Sequence, residues 1–119
     1  MRVLYIEDDP NNRMLVRRIL FASDIEVEEA EDAPTGIQMA IDNPPDLILM
    51  DISMPGMDGL TATERIRGIP VIQDLPIIAL TANVMQGDKE KSLNAGCDGY
   101  IGKPIDVDTF ADQIIEFLR

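Results

Sequence analysis

The feature that most constrains this chain is a regular alternation of short, continuous apolar runs with longer amphipathic stretches. Val3-Leu4-Tyr5-Ile6, Leu47-Ile48-Leu49-Met50 and Pro76-Ile77-Ile78-Ala79-Leu80 carry no charged side chain. A strand with one wet face alternates apolar and polar residues. An uninterrupted run instead signals burial on both faces, as in a parallel sheet covered by helices on each side. Ile25–Ala30 alternates apolar and acidic residues, which places it nearer a sheet edge, and Tyr100-Ile101 centres a short fifth strand. Helical patterns lie between the strands. Asn11–Phe21 sets Met14, Leu15, Ile19 and Leu20 on one side, and Pro34–Ile41 has a proline in its first turn. Asp58–Ile66 turns Leu60 and Ile66 inward, and Val84–Ala95 is stopped by Gly96. Asp106–Leu118 has acids at its start, where the helix dipole favours them, and Phe110, Ile114, Phe117 and Leu118 on its apolar side. Five strands alternating with five helices predict βα units, right-handed crossovers and an α/β sheet covered on both faces.

Length and charge narrow the function classes. A chain of 119 residues suits one domain, expected over 1–119, with no linker, repeat or low-complexity stretch. Folding would leave roughly 6,400 Å² of about 19,000 Å² exposed, enough burial to need neither disulfide nor structural metal. No apolar run nears the ~20 residues that span a bilayer, and no basic-then-apolar leader opens the sequence, so a cytoplasmic protein without a membrane partner is expected. The net charge of −12 repels phosphate backbones, which argues against nucleic acid as a partner. The sequence has no histidine and one cysteine, Cys97. Zinc sites of His and Cys, and Ser-His or Cys-His catalysis, are thereby excluded. Carboxylates, hydroxyls, lysine and hard metals remain.

The informative residues stand at the strand ends. Ile6 is followed by Glu7-Asp8-Asp9, Met50 by Asp51, Leu80 by Thr81, and Ile101, after Gly102, by Lys103. In a parallel sheet these ends share one edge, where ligands bind at the topological switch point. Clustered carboxylates repel unless a proton or a cation neutralises them. Hard oxygen ligands suit Mg²⁺, which takes one or two carboxylates along with waters and phosphate oxygens. Lysine is a point charge for a phosphoryl group, and a hydroxyl donates to another phosphoryl oxygen. A central aspartate fits an aspartyl-phosphate nucleophile in a reaction run by positioning and charge neutralisation.

On these residues the sequence resembles the receiver domains of two-component response regulators, especially single-domain receivers and those of hybrid sensor kinases. The resemblance covers the whole chain. It rests on Ile6-Glu7-Asp8, on Leu47 to Gly59, on Leu80-Thr81-Ala82 and on Gly99-Tyr100-Ile101-Gly102-Lys103-Pro104. It implies a flavodoxin-like, doubly wound (βα)5 fold with sheet order 2-1-3-4-5. It makes Asp51 the phosphoacceptor, with Mg²⁺ held by Glu7, Asp8, Asp51 and the backbone carbonyl of Ser53. Thr81 becomes the switch hydroxyl, Lys103 the phosphoryl contact, and Tyr100 an aromatic switch that rotates inward with Thr81. Ser53 and Asn83 take positions that tune dephosphorylation, and the Lys103-Pro104 bond is expected cis. The first acid is Glu7, where many relatives have aspartate, so its contact with the metal is direct or through water. The donor would be a histidine kinase or histidine phosphotransfer protein. Output would pass to a downstream protein target, and a phosphorylation-linked homodimer is a further analogy.

Plainer readings stand beside these. Asp9-Pro10 is a helix N-cap followed by proline at the first helical position. Thr81 has a second reading as a cap and Tyr100 as fixed core. Arg13, Arg17 and Arg18 form either a solvated helix face or a docking patch for a phosphodonor. Two other functions compete: a phosphate-independent interaction module of receiver type, and a Mg²⁺-dependent phosphohydrolase with an aspartyl-phosphate intermediate. The latter fits less well, because common phosphatases of that chemistry carry a second aspartate where Ser53 stands.

Overall fold

The computed structural model describes residues 1–82 and 87–118. The elements alternate strictly: β1 (Arg2–Ile6), α1 (Pro10–Phe21), β2 (Glu26–Ala30), α2 (Ala33–Asp42), β3 (Leu47–Asp51), α3 (Gly59–Arg67), β4 (Ile77–Thr81), α4 (Asp88–Ala95), β5 (Gly99–Gly102) and α5 (Phe110–Leu118). All strand pairs are parallel, in the order β2-β1-β3-β4-β5. This is the doubly wound order implied by the resemblance. β3 and β4 are buried at every position, as continuous apolar runs require, whereas edge strand β2 is buried only at Ala30.

The two-residue period of each strand divides the core. Leu4, Ile6, Ile48, Met50, Ile77 and Ala79 point to one face, where they pack with Ile37 of α2 and Ala62 and Ile66 of α3. Val3, Tyr5, Leu47, Leu49, Ile78 and Leu80 point to the other, against Val16 and Leu20 of α1 and Phe110 and Ile114 of α5. The first three helices start on aspartate caps. Asp9 accepts from the N–H of Asn11, Asp32 from Thr35 and Asp58 from Thr61, each at 2.8 Å. Each carboxylate satisfies a donor that the helix leaves open. The plain reading of Asp9 therefore holds. α4 ends at Gly96 in the left-handed region (φ 115°), as its position predicted.

Three sequence expectations need correction. In α1 the buried residues are Val16 and Leu20, while Met14 and Leu15 are exposed. Leu20 of the stripe is buried and Ile19 packs against the core as read, and Val16, four residues before Leu20, takes the buried place expected of Met14 and Leu15. The last helix begins at Phe110, not Asp106. Asp106 instead closes a turn, its carboxylate accepting from Asp108 N–H at 2.9 Å and its carbonyl from Phe110 N–H at 3.0 Å. Asp58 lies outside α3 as its cap. Val84 to Gln86, read as the first turn of the fourth helix, lie outside the described residues.

One close approach sets where the site strand ends. The α3 start packs onto the β3 exit, with Gly59 N–H bonded to Ile52 O at 3.2 Å. A Cβ on Gly59 would run into the Asp51 carbonyl oxygen and lie 2.9 Å from Ile52 Cα, both backbone atoms with no rotamer to change. Gly59→Ala is expected to destabilise the fold by about 1–3 kcal/mol in urea unfolding, the usual cost of overpacking.

Candidate functional site

β1, β3 and β5 deliver the charged residues to one edge. Glu7 continues the β1 ladder, its N–H bonding Ala30 O at 3.0 Å, and Asp51 is the last residue of β3. Lys103 follows β5, and its N–H bonds Thr81 O at 2.7 Å. The Lys103-Pro104 peptide is cis, as expected. Glu7 and Asp51 are buried, at 1% and 3% exposure, and Asp8 is exposed. One carboxylate oxygen from each of the three acids lies within 4.8 Å of the others.

The Lys103 ammonium joins the two buried acids. Its Nζ lies 3.1 Å from Glu7 Oε1 and 3.1 Å from Asp51 Oδ1. Glu7 Oε1 also accepts from the Tyr5 hydroxyl at 3.1 Å and the Asn12 side-chain amide at 2.9 Å. Asp51 Oδ1 accepts from the Ser53 backbone N–H at 3.2 Å. Thr81 is buried at the end of β4, next to the strand that carries Asp51. Tyr100 is half-buried against the α2–α3 face of the core, with Lys89 Nζ 5.1 Å above its ring. Of the arginines on α1, Arg13 donates to the Glu7 carbonyl at 2.7 Å and Arg17 pairs with Glu29 at 2.8 Å. Asn83 lies outside the described residues.

Two buried carboxyls beside one ammonium leave an excess negative charge. Burial pushes Asp51 up first, then the hydrogen bond and charge of Glu7; Lys103 opposes this, and the balance is about 7. Burial also pushes Glu7 up, but hydrogen bonds with Asp51, Asn12 and Lys103 outweigh it and hold Glu7 at about 2. The pair thus keeps one shared proton to near neutrality in the absence of a cation. Burial opposes the charge of Lys103, while Asp51 and then Glu7 push its pKa up, so it stays an ammonium.

This donor set fits a hard divalent cation. It offers three carboxylate oxygens, one open side at exposed Asp8, and an excess negative charge that a cation neutralises better than a proton. Tyr5 and Asn12 join the site without belonging to any motif in the sequence. Their signals were spacing alone: two residues before Glu7 on the same strand face, and five residues after it on the next helix.

A family model described as the response regulator receiver domain matches residues 3–115. The chain belongs to this family. It is 38% identical over 117 residues to the signal transduction histidine-protein kinase BarA of Escherichia coli K12, covering 98% of this chain and 13% of that much longer protein. It is 36% identical over 116 residues to the polar-differentiation response regulator DivK of Brucella anthropi, covering 98% and 94% of the two chains. Among solved structures, the chemotaxis protein CheY4 of Vibrio cholerae superposes with a TM-score of 0.91 at 26% identity, covering 98% and 97%. The receiver domain of the sensor histidine kinase PA1611 of Pseudomonas aeruginosa does so with a TM-score of 0.90 at 33% identity, covering 98% and 96%. That structure has a magnesium ion coordinated in its active-site cleft. The chain is thus a receiver domain of the two-component and phosphorelay type, a signalling switch. Receivers of this kind bind Mg²⁺ at an acidic pocket and interact with histidine kinases or phosphotransfer proteins. Among the described residues, no helix is long and apolar enough to cross a membrane.

The shared proton has a thermodynamic consequence. A carboxyl raised to about 7 favours the fold below its unfolded value of 3.8, and that contribution is lost as pH rises through 7. In EDTA, Asp51→Asn, nearly isosteric with the protonated carboxyl, should already melt somewhat higher than wild type at about pH 5, because the unfolded carboxyl is ionised above 3.8. At about pH 8 the gap should be wider, by about 4 °C per further kcal/mol of repulsion relieved. Calorimetry at the two pH values checks this.

Proposed function

We propose that this receiver takes a phosphoryl group from a phosphohistidine onto Asp51 and signals by the resulting change of surface. The single observation that carries the reading is the Lys103 ammonium set 3.1 Å from both Glu7 and Asp51, beside a buried acceptor and an exposed third acid. Asp51 supplies the attacking carboxylate oxygen. The new bond joins that oxygen to phosphorus, the nitrogen–phosphorus bond of the donor breaks, and the leaving imidazole takes up a proton. Lys103 moves from balancing two carboxylates to balancing the phosphoryl oxygens. Thr81 donates its hydroxyl to another of those oxygens, and the Ser53 N–H keeps Asp51 Oδ1 oriented. Glu7, Asp8, Asp51 and the Ser53 carbonyl would hold Mg²⁺, which would supply charge neutralisation for the phosphoryl transfer.

Other parts of the reading follow from the same site. Tyr100 rotates inward as Thr81 shifts, exchanging its position under Lys89 for a more buried one. That motion reshapes the surface of α4, β5 and α5, where a downstream protein target or a second phosphorylated copy docks. The donor is a histidine kinase or histidine phosphotransfer protein in the cytoplasm, and residues 1–119 act as one receiver unit. The protein turns over no separate substrate: its chemistry is phosphotransfer to itself and hydrolysis of its own aspartyl phosphate.

Intact-mass analysis after incubation with acetyl phosphate tests this. The wild type should gain one phosphoryl group with Mg²⁺ and none with EDTA, and Asp51→Asn should gain none. Failure with both acetyl phosphate and a phosphorylated histidine phosphotransfer protein would overturn the reading.

A further inference from the structure

Three donors meet on a single oxygen of Glu7. Asn12 reaches Oε1 from α1 at 2.9 Å, Lys103 from the β5 exit at 3.1 Å, and Tyr5 from within β1 at 3.1 Å. Lys103 also serves Asp51 and is part of the acceptor site. Tyr5 has a different character. It is among the largest fully buried side chains, packed between the sheet and the α1 and α5 helices with Val16, Leu20 and Phe110. An apolar side chain would suit that environment. A hydroxyl there costs free energy unless it has a partner, and its partner is the first acid of the site. The two-residue strand period puts Tyr5 and Glu7 on the same face, so the phenol rises along β1 directly toward the carboxylate.

We propose that Tyr5 is a positioning residue for the metal-binding acids, its hydroxyl anchoring Glu7 through Oε1 and so pre-forming the cluster with Asp8 and Asp51. The anchor goes with the identity of residue 7. An aspartate there has one fewer C–C bond, about 1.5 Å less reach, and withdraws from the phenol. Tyr5 and Glu7 therefore act as a pair in which each residue explains the other. The inference rests on the Mg²⁺ reading above.

The test is a double-mutant cycle on the unphosphorylated protein, with Mg²⁺ affinity measured by titration calorimetry and folding followed by Tm. Tyr5→Phe removes only the oxygen and keeps the packing. In the Glu7 background it should weaken Mg²⁺ binding about tenfold, the usual scale for a group that orients a metal ligand. In the Glu7→Asp background the same change should leave affinity within about twofold, since the anchor is already lost. The Mg²⁺ concentration for half-maximal phosphorylation should rise in parallel, with a smaller change in the maximal rate. An equal loss of affinity in both backgrounds, or none in either, would overturn the anchor. A drop in Tm with unchanged affinity would assign Tyr5 to packing alone and would also overturn it. Wild-type protein that binds no Mg²⁺ would sink the functional reading itself, which separates the two failures.

Discussion

Lys103 placed between Glu7 and Asp51 is the interaction on which the rest of the site depends. Two carboxylates buried at 1% and 3% exposure would repel strongly in a medium of low polarisability. One ammonium 3.1 Å from each makes their coexistence tolerable, and one shared proton near neutrality completes the balance. The arrangement remains short of positive charge. That shortage lets the site accept a divalent cation, and the presence of the ammonium lets it accept a phosphoryl group. A neutral, fully paired site would be more stable and would do neither.

The surrounding fold holds this unfavourable cluster in place through many ordinary interactions. Aspartate caps start the helices that follow β1, β2 and β3, and Gly59 lets α3 close against the end of β3. At the opposite edge of the sheet a charged group does purely structural work. Arg67 donates to the carbonyls of Gly96, Gln73 and Leu75 and pairs with Asp98, tying the end of α3 to the lead into β4 and to the α4 terminus. Asp98 in turn accepts from Ile77 N–H at 2.8 Å. Charges at that edge are matched to backbone groups and to each other. Charges at the Glu7–Asp51 edge are left partly unmatched, and that contrast distinguishes a functional charge from a structural one.

Much of this was legible in the sequence. The apolar runs of β1, β3 and β4, alternating with helical stretches, announced a parallel sheet, because helices on both faces bury both sides of such strands. The strand-end acids and lysine were legible too, since parallel strands bring such ends to one edge whatever the details of packing. Element ends were less legible. Met14 and Leu15 read as part of a buried stripe with Ile19 and Leu20, yet they are exposed, and Val16 joins Leu20 against the sheet. Asp106 read as a helix start but closes a turn before one. The first error arises because side chains compete for a limited interface that only assembled neighbours settle, and the second because Asp106 closes a local turn that apolar periodicity does not report.

The sequence by itself determined the alternation of strands and helices, the sheet edge on which the chemistry gathers, and the residue types available there, because these follow from local periodicity and chain direction. Only the tertiary structure decided that Lys103 reaches Glu7 and Asp51 across 96 and 52 residues, and that one oxygen of Glu7 collects Tyr5 and Asn12 as well. It also decided that burial and the neighbouring Glu7 push Asp51 up, while hydrogen bonds hold Glu7 down. Those properties depend on burial and on charges a few ångströms apart, and neither exists until the strands are assembled side by side.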